Sequence, residues 1–163
     1  MKIADMHGDT IYELLTRRRA GKEVFLRENE LHMALQKMKK ADYLLQNFAL
    51  FVGLKEDVNP YEEAKAECAV FVEELEKNQD LISQVFSYED IEKNRKSGKI
   101  SALLTLEEGE VCLGQIEKLE EFYSYGARMM ALAWNFDNSL TTCNTKCPPP
   151  WPRNYSGNRT GLT

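Results

Sequence analysis

The sequence predicts an α/β fold on a parallel sheet, laid out as the N-terminal half of a (β/α)8 barrel. Three observations predict it. Short apolar runs alternate with amphipathic stretches along the chain. The two longest runs are nearly continuous, as in strands buried on both faces. Polar residues able to do chemistry sit directly after those runs, where the C-terminal rim of a barrel would be.

The elements follow in order. Lys2-Ile3-Ala4 opens a first strand. Thr10 is placed to cap a helix running through Ile11, Leu14 and Leu15 to Arg17-Arg18-Arg19, with Gly21 as its stop. Three arginines at a helix C-terminus complement the dipole and read as a solvated helix end. Leu31, Leu35 and Met38 have helical spacing, which predicts a helix over 31–41 with His32 on its surface. Tyr43 to Val52 is the second strand. Asn59-Pro60 starts a helix to about Lys77, with Ala64, Cys68, Phe71, Val72 and Leu75 on its apolar side. Ser87-Tyr88-Glu89-Asp90 resembles a capping box, and that helix ends near Ser97-Gly98. Ile100 to Leu106 is the third strand. A helix over 115–125 is closed by Gly126, and Ala127 to Ala133 is the fourth strand.

Residues 136–163 differ: they are polar, show no period, and carry Cys-Pro-Pro-Pro-Trp-Pro at 147–152. They read as an irregular loop segment within one incomplete barrel domain spanning 1–163. Four strands and three helices make half a closed cylinder, and such a barrel takes about 250 residues. The expectation is therefore a longer product, with the remaining half of the barrel required for activity.

Composition narrows the function. Hydrophobic content of 43% and charged content of 29% are those of a globular protein with a real core. A net charge of −5 argues against a nucleic-acid surface. The sequence has no apolar run of membrane-span length and no basic-then-apolar leader. Cys68 and Cys112 lie in apolar-patterned segments and read as buried thiols. Cys143 and Cys147 form a C-x3-C with no second pair or histidine after it, so they make at most half a zinc site. A reducing, cytoplasmic setting accounts for these cysteines most simply.

The chemistry converges on three strand ends. Asp5-Met6-His7-Gly8-Asp9 follows the first strand, and extended backbone would point His7 and Asp9 the same way. An imidazole and a carboxylate so placed suit zinc, or else they cap the turn into the next helix. Glu107-Glu108-Gly109 follows the third strand. Glu107 is the candidate to be shared by two cations, or else it caps the following loop. Glu108 is expected behind it or facing solvent. Trp134, Asn135, Asp137 and Asn138 follow the fourth strand.

Together these segments resemble the membrane (renal) dipeptidase family of zinc peptidases. The resemblance rests on the ordered motifs Asp5-x-His7-x-Asp9, Leu104-Thr105-Leu106-Glu107-Glu108-Gly109 and the segment 126–135. The closing Gly161-Leu162-Thr163 looks like the point where family members continue into the next helix. The resemblance implies two zinc ions, with His7 and Asp9 on the first and Glu107 bridging both. It implies hydrolysis of dipeptides by a metal-bridging hydroxide, with tolerance of a D-residue at the C-terminal position. Many members carry a histidine after the fourth strand that helps bind the substrate carbonyl. Here Trp134 stands there, leaving Trp134 and Asn135 as the substrate-binding candidates and Asn135 as the catalytic substitute. The family's other zinc histidines, its substrate-binding arginine and its second-half aspartate have no counterpart in this chain. Two alternatives stay open. One is another metal-dependent amidohydrolase on the same barrel, a deaminase or a lactonase. The other is a truncated, non-catalytic binding module. A homodimer is compatible with either.

Overall fold

A computed structural model describes residues 1–143. Strand β1 (Ile3–Asp5) is followed by helix α1 (Thr10–Arg19), a short helix α2 (Leu35–Lys40) and strand β2 (Tyr43–Leu50). Helix α3 (Pro60–Lys77), strand β3 (Ile82–Gln84), helix α4 (Tyr88–Lys96) and strand β4 (Ile100–Leu106) come next. A 3-10 turn (Gly109–Cys112), helix α5 (Ile116–Ser124) and strand β5 (Ala127–Met130) complete the described elements. The fold is α/β with a parallel sheet, as the alternation predicts.

Local chemistry accounts for the element boundaries. Asn59 caps α3 by accepting from the backbone N–H groups of Tyr61 and Glu62, with Pro60 at the first helical position. Ser87 and Asp90 form the capping box of α4. Gly126, at φ +103°, reverses the chain between α5 and β5. A side chain there would be strained, and its Cβ would collide with the Gln84 amide.

Every strand pairing is parallel: β1 with β2, β2 with β4, and both β3 and β5 with β4. Two short strands share one side of β4. Ile82–Gln84 runs beside Ile100–Ala102, and Ala127–Met130 beside Leu104–Leu106. Parallel pairing brings the C-terminal ends of β1, β2, β4 and β5 to one edge of the sheet, where the polar motifs stand.

One face of the sheet holds the main core. Phe48, Leu50, Leu104 and Leu106 are buried with Phe71 of α3 and Phe122 of α5. The Phe48 and Phe71 rings lie 5.6 Å apart. Phe71→Ala would cost about 3–5 kcal/mol on the usual scale for buried aromatics. The other face carries Asn47 and Ala49 on β2 and Ser101 and Thr105 on β4, all buried. Strand alternation continues that row into Glu107. Helix α4 ties in at the opposite end, where the Asn94 side chain donates to the Ser83 carbonyl and the Ser101 hydroxyl.

The structure departs from expectation in several places. Strand β3 is additional, because three residues offer no readable period. The fourth predicted strand stops at Met130 rather than Ala133. The Ala131 N–H still bonds the Leu106 carbonyl, but the Leu132 carbonyl turns to the Asn138 side chain. The helix expected over 31–41 covers only Leu35–Lys40, where the N–H groups of Leu35 and Gln36 pair back to Leu26 and Arg27. Asp9, not Thr10, is the N-cap position of α1. The arginines ending α1 are not simply solvated: Arg18 pairs with Glu73 and Glu74, and Arg19 with Glu63, tying α1 to α3. Most of the segment 136–163, including Cys147, lies outside the described residues. Among the described residues, no helix is long and apolar enough to cross a membrane.

Candidate metal centre

His7, Asp9 and Glu107 converge at the C-terminal edge of the sheet. One ligand atom from each lies within 4.8 Å of the others, the one such acidic, histidine or cysteine group among the described residues. His7 Nε2 stands 3.2 Å from Asp9 Oδ1 and 3.5 Å from Glu107 Oε2. The Asp5 carboxylate accepts the His7 backbone N–H at 3.2 Å, turning the chain as it leaves β1. Asp9 occupies the N-cap position of α1, yet its side chain makes no capping bond. It faces His7 instead, at the positive end of the helix dipole.

Glu107 carries one of three buried side-chain oxygens without a hydrogen-bond partner among the described residues, the others being on Gln46 and Glu67. On Glu107 it is Oε2, which accepts no hydrogen bond. Burial, and then the negative charge of Asp9, push its carboxyl up to about 6, with His7 partly offsetting them. A buried carboxylate oxygen with no donor is costly unless a cation satisfies it. An imidazole and two carboxylates are also the donor chemistry that zinc accepts. The residues therefore fit a metal ion.

Glu108, one residue on, turns the other way and is only 1% exposed. Its carboxylate accepts the Glu110 N–H at 3.1 Å, the Trp134 N–H at 2.9 Å and the Asn138 side-chain amide. It is thus the cap of the 3-10 turn, the role left open for Glu107, and it does not face solvent. Gly109 lets the two segments touch: a Cβ there would lie 2.6 Å from the Leu132 carbonyl. Asn138 closes the arrangement by accepting the N–H groups of Leu140 and Thr141.

This clamp places Trp134 at the rim. Its ring stacks edge-on to Phe51 at 5.1 Å, and Phe51 meets Tyr12 in the same way at 5.4 Å. Phe136 extends the row, 6.4 Å from Trp134. Asn135 is exposed on the same loop, its carbonyl accepting from Cys143 Sγ. His32 is exposed on the segment before α2. Cys68 and Cys112 are buried thiols, as expected, and burial pushes both up to about 11.

Two contributors were not visible in the sequence. The Glu108 clamp depends on partners far along the chain, and only the run of polar residues after β5 hinted at it. Asn47 and Thr105, beneath the triad, sit inside apolar runs that otherwise read as plain core.

The fold is shared with solved structures of which this chain spans between about a third and a half. Dipeptidase AC, a metallo peptidase of family M19, aligns at 17% identity and a TM-score of 0.74, covering 86% of this chain and 45% of that one. A metallo peptidase from Rhodobacter sphaeroides, liganded with a phosphinate mimic of the dipeptide L-Ala-D-Ala, aligns at 16% identity and 0.76, covering 86% and 47%. An amidohydrolase from Pseudomonas aeruginosa aligns at 21% identity and 0.60, covering 66% and 32%. At such identities the likeness shows the fold alone, that of part of a (β/α) barrel. No curated protein matches the chain. The model of the membrane dipeptidase family, peptidase family M19, matches residues 1–163, and the chain belongs to that family.

Proposed function

We propose that the whole protein is a metal-dependent dipeptidase, with His7, Asp9 and Glu107 among its metal ligands. The buried, donorless Oε2 of Glu107, within reach of His7 and Asp9, carries this reading. Zinc is the expected metal, as two ions, with His7 and Asp9 holding the first and Glu107 shared between them. Three side chains are too few for two zinc ions that each take about four ligands. The remaining ligands, and the rest of the barrel, come from outside the described residues on this reading. When bound, the ions supply Lewis acidity, polarising the scissile carbonyl and making water acidic enough to attack at neutral pH.

The chain's own residues prepare that chemistry. Asp5 holds the turn that presents His7. Glu108 holds the loop that presents Trp134 and Asn135. Trp134, packed edge-on against Phe51 on the loop that Glu108 holds, offers an apolar surface that suits a peptide side chain. Asn135, exposed on the same loop, is the candidate to meet the substrate carbonyl through its side-chain amide. Tolerance of a D-residue at the C-terminal position of the dipeptide belongs to the same reading. So does a reducing, cytoplasmic setting, which the buried thiols of Cys68 and Cys112 support.

The test uses the full-length gene product with L-Ala-L-Ala and L-Ala-D-Ala as substrates. Both should be cleaved, cleavage should stop on chelation, and zinc should restore it. Activity indifferent to chelation, or none with zinc in excess, would overturn the assignment.

A further inference from the structure

His7 and Glu107 leave strands that are not neighbours, because β2 runs between β1 and β4. Their separation is therefore set by whatever spans β2. Backbone pairing does part of this. The Ala49 N–H bonds the Gly8 carbonyl at 3.1 Å, and the Glu107 N–H bonds the Leu50 carbonyl at 3.1 Å. One side chain on β2 reaches both flanks. Asn47, 2% exposed, donates through Nδ2 to the Met6 carbonyl at 2.6 Å. Its Oδ1 accepts from the Thr105 hydroxyl at 2.9 Å. Met6 immediately precedes His7. Thr105 lies two residues before Glu107, on the same face of β4.

The orientation of this amide is fixed by chemistry. The Met6 carbonyl can only accept, so Nδ2 must face it, and Oδ1 is left for a hydroxyl donor. Both ends of a buried amide are thus used, in low dielectric, on the residues just beneath two ligands of the triad. We infer that Asn47 is a positioning residue of the metal centre, which holds the end of β1 against β4 and presets the His7–Glu107 gap through Met6 and Thr105. This rests on the metal-site reading above.

A second buried asparagine provides the control. Asn94 also ties a neighbouring element to a hydroxyl of β4, Ser101, but at the far end of the strand. Removing either amide should destabilise the fold, and only Asn47 should affect the metal. The experiment compares Asn47→Leu, Thr105→Val and Asn94→Leu with the wild-type full-length protein by competitive zinc titration and by melting of the metal-free form. Loss of a partner behind a ligand typically weakens metal affinity about 10–100-fold, and Asn47→Leu should fall in that range. Thr105→Val should lose about threefold, keeping one of the two bonds. Asn94→Leu should stay within about twofold while melting earlier. Should Asn47→Leu not fold, Thr105→Val carries the test.

Zinc affinity unchanged in Asn47→Leu and Thr105→Val, or equally reduced in Asn94→Leu, would overturn the inference. Failure of the wild-type protein to bind zinc would sink the metal reading instead. The positioning role would then be decided by metal-free crystal structures, in which the 3.5 Å gap between His7 Nε2 and Glu107 Oε2 should widen in Asn47→Leu. An unchanged gap there would overturn it.

Discussion

The carboxylates of Glu107 and Glu108 leave the same strand end in opposite directions. Glu108 turns inward and meets three N–H donors, from Glu110, Trp134 and Asn138. Glu107 turns to the rim, where Oε2 is buried with no donor and its near neighbours are His7 and another carboxylate, Asp9. Residue type, chain position and strand are shared, so the difference lies in what each finds around it. A buried carboxylate whose lone pairs are filled by the protein is a structural tie. One whose lone pair points at a histidine and an aspartate is poised for something the chain does not itself supply. The pair shows how a strand end can be rigid and reactive at once: one acid fixes the loop, and the next is left free of it.

The comparison breaks most sharply at Glu107. Glu107→Gln removes the carboxylate proposed to be shared by the metal ions and should weaken zinc binding by at least about a hundredfold, more than loss of a residue behind a ligand costs. The metal-free protein should be as stable or slightly more so, because a buried charge without a donor disappears. Near-normal zinc content in that variant would remove Glu107 from the site. Glu108→Leu should do the reverse. It leaves the Glu110 and Trp134 N–H groups without an acceptor and the Asn138 amide with the Leu132 carbonyl alone, and should cost about 3 kcal/mol in urea unfolding of the metal-free protein. Glu108→Gln keeps one carbonyl oxygen and should recover about half of that. A loss below about 1 kcal/mol for Glu108→Leu would show that the clamp contributes little. Gly109→Ala tests the same contact by sterics. Its new Cβ would sit 2.6 Å from the Leu132 carbonyl and 2.7 Å from Leu140 Cδ1, so a cost of about 1–3 kcal/mol is expected.

Much of this was legible in the sequence, for identifiable reasons. The nearly continuous apolar runs at 43–52 and 100–106 are the two central strands of a sheet covered on both faces, the case in which a run carries the most signal. Asn59-Pro60 and Ser87-x-x-Asp90 mark helix starts because capping is local chemistry. The triad was legible because its members follow strands, and parallel pairing carries strand ends to one edge. What was hidden is non-local. Strand β3 exists only because Ile82–Gln84 finds the free first half of β4. The fate of Glu108 depends on Trp134 and Asn138, about thirty residues on, so sequence left it as either solvent-facing or hidden. The arginines ending α1 looked like solvated charge because their partners, Glu63, Glu73 and Glu74, lie on α3. Asn47 within an apolar strand gave no sign of the two bonds it makes.

A third carboxylate, Glu67 on α3, lies between the two extremes, and its effect is read through pH. It is fully buried. Its Oε2 accepts the Phe51 N–H at 2.9 Å, while Oε1 has no partner. Burial pushes its carboxyl up from 4.5 to about 9, only partly offset by the Phe51 N–H. The folded protein therefore holds a proton that the unfolded chain loses near pH 4.5. The stability that this proton contributes is complete below that pH. It is lost as pH rises toward about 9, since the folded state then binds more protons than the unfolded one. The slope from one such group is at most about 1.4 kcal/mol per pH unit. Glu67→Gln keeps the acceptor for Phe51, cannot ionise, and should flatten the decline. Urea unfolding of the chelator-treated protein across that range should show the variant overtaking the wild type on the alkaline side. Parallel profiles for the two proteins would mean that Glu67 ionises in place without cost. Burial with one donor would then be enough to hold a charged carboxylate in this core, and the orphan oxygen of Glu107 would lose its weight as a sign of a missing cation.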